Sequence, residues 1–130
     1  MILLDTDVCI ELLRGNEKVI QKRENEIESI GVSFLTVGEL FYGAYKSAKV
    51  DHNLTLIDRF LLTIQIIQSD YDIMKRFGEI KSKLVKKNIQ LPDADLIIAA
   101  TSLSKCNKII TGNIDHFKRI EELKIENWIR

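Results

Sequence analysis

The sequence predicts a three-layer α/β/α domain built on a mostly parallel sheet of about five strands. Short apolar runs of strand length alternate with longer helical patterns along the whole chain. Each gap between runs is long enough for a crossover helix, which parallel strands require and hairpins do not. One proline and six scattered glycines leave no linker, so residues 1–130 read as one domain.

The expected strands are Ile2–Leu4, Gly31–Leu35, Ile64–Gln68, Lys108–Thr111 and Ile125–Ile129. Val8–Leu13 reads as a helix ended by Gly15, and Glu17–Glu28 as a more polar one with Val19, Ile20 and Ile27 on one side. Val37–Ala48 and Leu54–Leu62 follow. Tyr71–Lys87 carries Ile73, Phe77, Ile80 and Leu84 at helical spacing, and Ala94–Lys105 is small and apolar enough to be deeply packed.

The chain is 45% apolar and 29% charged, which excludes a disordered or fibrous polymer. Nineteen basic residues balance nineteen acidic ones, so a strongly basic nucleic-acid binder is excluded, though local patches are not. Cys9 and Cys106 form no CxxC pair, which leaves disulfide and zinc frameworks without support and points to a reduced, cytoplasmic setting. Neither a signal peptide nor a membrane span is visible.

In parallel sheets, ligands bind beyond the carboxyl ends of the strands. Asp5 directly follows the first strand, Glu39 lies in the helix after the second, Asp95 opens the deeply packed helix, and Asn113 and Asp115 follow the fourth strand. No basic residue occurs in 2–9, 31–43 or 89–103 to neutralise the first three acids. Clustered carboxylates repel one another, and a hard divalent cation with oxygen ligands, magnesium or manganese, is the usual relief. Structural readings stand beside this one. Thr36 and Glu39 fit an S/T-x-x-E capping box, Asp93 an N-cap, Asp95 a helix dipole and Asp115 the start of a short helix. Asp5 fits none of them easily, because an acid abutting a buried strand is costly without a partner.

Leu3-Leu4-Asp5-Thr6-Asp7, Ser33-Phe34-Leu35-Thr36-Val37-Gly38-Glu39-Leu40 with Gly43, Asp95-Leu96-Ile97-Ile98-Ala99-Ala100, and Thr111-Gly112-Asn113 with Phe117 resemble the PIN-domain ribonucleases, most nearly the VapC-type toxins of VapBC toxin–antitoxin pairs. The resemblance implies a five-stranded parallel sheet, a homodimer, magnesium-dependent cleavage of RNA to a 5′-phosphate and a 3′-hydroxyl, and neutralisation by a cognate antitoxin. By position, Asp5, Glu39 and Asp95 match the three metal-holding acids. Asn113 stands where many relatives have aspartate and Asp115 lies two residues on, so either is a candidate fourth ligand, with Asp115 favoured for its charge. Thr6 and Thr111 match hydroxyl positions beside the acids. Arg14, Lys46 and Lys49, which follow the helices nearest the acids, are the favoured contacts to RNA.

Three other readings compete. Asp5-Thr6-Asp7 also resembles the start of haloacid-dehalogenase-like phosphatases, with Asp5 as nucleophile. A non-catalytic PIN-like binding module is the second. Metal-independent cleavage of RNA by His52 and His116 is the third, although both histidines are isolated in sequence and His116 reads as a loop residue.

Overall fold

A computed structural model describes residues 1–130. Its elements, in chain order, are β1 (Ile2–Leu4), α1 (Thr6–Leu13), α2 (Glu17–Asn25), β2 (Ile30–Ser33), α3 (Phe34–Tyr45), α4 (Val50–Leu61), β3 (Gln65–Ile67), α5 (Tyr71–Lys86), α6 (Asp93–Lys105), β4 (Ile109–Ile110), α7 (Ile114–Phe117) and β5 (Ile125–Glu126). The sheet order is β3-β2-β1-β4-β5 and every pairing is parallel.

Strand side chains alternate between faces, so β1 serves two cores at once. Leu3 joins Ile109, Ile73, Ile80, Leu84 and Phe117 on the face covered by α5, α6 and α7. Ile2 and Leu4 join Val8, Val19, Leu40, Ile57, Ile110 and Trp128 on the face covered by α1 to α4. All three β1 residues are fully buried, as a strand covered on both faces requires.

The observed elements differ from the expected ones mainly at their ends. The second strand stops at Ser33, whose side chain accepts from Leu35 N–H at 3.2 Å, so Phe34 and Leu35 belong to α3 rather than β2. Thr36 therefore lies inside the first turn, not at the cap, and no capping box involves Glu39. The last strand ends at Glu126, because the Asn127 side chain accepts from Ile129 N–H and Arg130 N–H and turns the chain so that Trp128 enters the core.

The Ser33 cap sets where α3 begins and hence where Glu39 points. Ser33→Ala is expected to lower the unfolding free energy by about 1 kcal/mol. Chemical denaturation checks this, and an unchanged midpoint contradicts the cap.

Candidate active site

With β1 in the centre, the chain runs outward to β2 and β3 on one side and to β4 and β5 on the other. The strand order reverses between β1 and β4, the place where open parallel sheets form a ligand crevice at their carboxyl edge. Asp5 and Thr111 leave the two strands beside it, and the Thr111 hydroxyl donates to Asp5 Oδ2 at 2.8 Å across the gap. Thr6 N–H donates to Asp5 Oδ1 at 2.8 Å, so Asp5 also caps α1. Its neighbour Asp7 accepts from Gly112 N–H at 2.8 Å, which ties α1 to the loop after β4.

Asp5 is 6% exposed and pairs with no cation. Burial pushes its carboxyl up to about 7, and the Asp7 charge adds to the rise against the two hydrogen bonds that oppose it; Asp95 adds further. Burial also raises Asp7 above the ordinary carboxylate range, opposed by the N–H groups of Gly112 and Val8.

Glu39 projects from the second turn of α3, and its Oε1 accepts from the Thr6 hydroxyl at 2.7 Å. Thr36 Oγ1 lies 3.0 Å from the same hydroxyl. Asp95, in the first turn of α6, approaches from the other side, with Oδ2 at 2.8 Å from His116 Nδ1. Asn113 Nδ2 lies 3.0 Å from that same ring nitrogen, and Asn113 N–H donates to Thr111 Oγ1 at 2.9 Å. Asp5, Thr111, Asn113, His116 and Asp95 thus form one continuous chain of contacts. Asp115 is not part of it: its side chain is 87% exposed and pairs with Lys118 at 3.2 Å.

The site fits a hard cation in charge and in donor chemistry, since it offers carboxylate and amide oxygens with no basic side chain paired to Asp5 or Glu39. No three of its His, Cys, Asp and Glu side chains close on one point.

Thr6 and Glu39 also line a groove of ≈ 520 Å³ between α1, α3 and α4, together with Arg14, Lys46 and Tyr42. Lys46 Nζ sits 4.8 Å over the Tyr42 ring. Lys49 is exposed just before α4, outside this groove. On and just after α5, Arg76 is instead tied to Glu79 and Glu122, Lys81 to Asp93, Lys83 to Glu122 and Lys87 to Glu121. His52 is exposed on α4 and bonded to nothing, whereas His116 belongs to the acidic cluster. The signal for His116 was its i+3 spacing from Asn113, which puts both on one side of a single helical turn.

The folded protein holds the Asp5 proton to near pH 7, while an unfolded chain releases it near pH 4. Between those values the folded state binds more protons, so metal-free stability falls as pH rises, by about 4 kcal/mol in all. Melting temperatures without metal should therefore drop from about pH 5 to about pH 7.5, and Asp5→Asn should flatten the profile and raise its upper end. A profile unaffected by Asp5→Asn contradicts the assignment.

Residues 2–123 match the PIN domain family. Ribonuclease VapC2 of Rickettsia felis is 30% identical over 97% of this chain and 96% of its own length. The tRNA(fMet)-specific endonuclease VapC of Salmonella typhimurium is 29% identical over the same shares. Among solved structures, VapBC2 from Rickettsia felis bound to a DNA fragment from its promoter superposes with a TM-score of 0.92 at 30% identity, covering 98% of this chain and 99% of the other. The relatives and the solved structure cover nearly the whole chain, and the chain belongs to the PIN domain family, among its VapC-type ribonucleases.

Proposed function

We propose that residues 1–130 act as a single-domain, magnesium-dependent endoribonuclease, the toxin of a toxin–antitoxin pair. The observation that carries this reading is Asp5, a buried carboxyl without a cationic partner, set beside Asp7 and Asp95 at the crevice of a parallel sheet. A purely structural residue there would be asparagine, whose Oδ1 accepts from Thr6 N–H while its Nδ2 donates to the Thr111 hydroxyl oxygen, without the cost of a buried charge.

Asp5 and Asp95 would hold the cation, with Asn113 at the fourth position. Asn113 is favoured over Asp115 because it belongs to the Thr111–His116 contacts, while Asp115 turns to solvent and Lys118. A cation bound there, magnesium or manganese, would supply a water of lowered pKa and neutralise charge on the phosphate oxygens. Glu39 has Oε1 fixed by Thr6, which leaves Oε2 to orient the attacking water and accept its proton. Thr111 keeps Asp5 oriented. Arg14 and Lys46, beside Glu39 in the same groove, bind the RNA backbone, and Lys49 adds to the field at its end. In-line attack leaves a 5′-phosphate and a 3′-hydroxyl.

The Rickettsia felis VapBC2 structure supports a VapB-like antitoxin as the protein partner. Tyr42 and Tyr45, both about two-thirds exposed on α3, are the apolar surface such a partner would cover. Exposed Tyr71, Met74 and Val85 on α5 support the homodimer. No helix is long and apolar enough to cross a membrane, and two unpaired cysteines with an RNA substrate fit the cytoplasm.

Cleavage of RNA should need added magnesium and stop with EDTA. Asp5→Asn, Glu39→Gln and Asp95→Asn should each lower kcat by two orders of magnitude or more, in the range general acid–base and metal roles supply. Asn113→Ala should raise the magnesium needed for half-maximal cleavage more than Asp115→Ala does. Cleavage that survives EDTA would sink the metal mechanism, and trapping of a phospho-aspartate on Asp5 would favour a phosphatase instead.

A further inference from the structure

The Asp95–His116 contact does work that the reading above leaves unassigned. Asp95 makes one side-chain hydrogen bond in the protein, from Oδ2 to His116 Nδ1 at 2.8 Å, and Oδ1 is left without a partner. The imidazole is 41% exposed and the Asp95 side chain 19%, so the bond lies at the solvent edge of the acidic cluster. Its position is rigid. Phe117, the next residue, is fully buried in the core under α5 and α6, and Ile120 anchors the turn that follows. Asn113, one helical turn before His116, is pinned through its N–H to Thr111, whose hydroxyl donates to Asp5. The ring nitrogen lies 2.8 Å from Asp95 and is linked to Asp5 through Asn113 and Thr111.

We propose that His116 is a positioning residue for the cation: in its Nδ1–H form it donates to Asp95 Oδ2 and presents Oδ1 to the crevice. A carboxylate freed of this bond would sample several rotamers in a half-exposed site, and the cation would have to order it on binding. Hydrogen-bond partners of metal-binding carboxylates typically govern affinity by 10- to 100-fold. The inference rests on the proposed cation site and adds to it the residue that touches Asp95 from another element.

The test is calorimetric titration of magnesium, and separately manganese, into the whole protein without RNA, with melting of the metal-free proteins alongside. His116→Ala should weaken binding about tenfold or more. His116→Asn places an amide N–H where Nδ1 was and should recover most of that loss. Metal-free melting temperatures of both variants should stay near the wild type, since the bond lies at the surface and Phe117 anchors α7. Wild-type affinity in His116→Ala would overturn the positioning role, and so would equal loss in His116→Asn. A loss of melting temperature without a loss of affinity would overturn it too, in favour of a structural contact. Absence of cation binding in the wild type would instead overturn the cation site itself.

Discussion

The structure turns on a carboxylate that the fold buries and does not neutralise. Asp5 follows Ile2-Leu3-Leu4, the central strand, whose side chains fill both cores, so its position is dictated by the packing of the whole domain. The hydrogen bonds from Thr6 N–H and Thr111 Oγ1 orient the carboxyl but do not offset burial and two neighbouring acids, and its proton is held to about 7. Such a group is satisfied either by a proton or by a cation, and near neutral pH the two compete.

The remaining parts of the site are carried to Asp5 by topology rather than by proximity in sequence. Parallel pairing brings the ends of β1, β2 and β4 to one edge, and α6, running back against the sheet, starts there. Ser33 takes the capping role in α3, which frees Glu39 to meet Thr6. The same arrangement opens the groove of Arg14, Lys46 and Tyr42 onto Glu39.

The layer order, the strand positions and the acids at the strand ends were legible because they follow from hydrophobic periodicity and from connection length. The boundary between β2 and α3 was not. Ser33 and Thr36 are both good caps by type, and the pairing of Ser33 with Ile67 in β3, a tertiary fact, decides between them. β4 and β5 are two residues each because their pairings with β1 and with each other extend no further, although the apolar runs do. Charge favoured Asp115 over Asn113 in the sequence, yet α7 turns Asp115 to solvent and pairs it with Lys118. The Asp95–His116 contact spans 21 residues and two elements, which no local pattern encodes.

The most direct test of a cation held by the buried acid is crystallographic. Crystals grown or soaked with manganese near pH 8, where Asp5 is ionised, should show an anomalous peak about 2.1–2.2 Å from an Asp5 carboxylate oxygen, with Asp95 Oδ1 facing it. A crevice without such a peak at millimolar manganese, or a peak bound elsewhere with Asp5 still tied only to Thr6 and Thr111, would contradict the account.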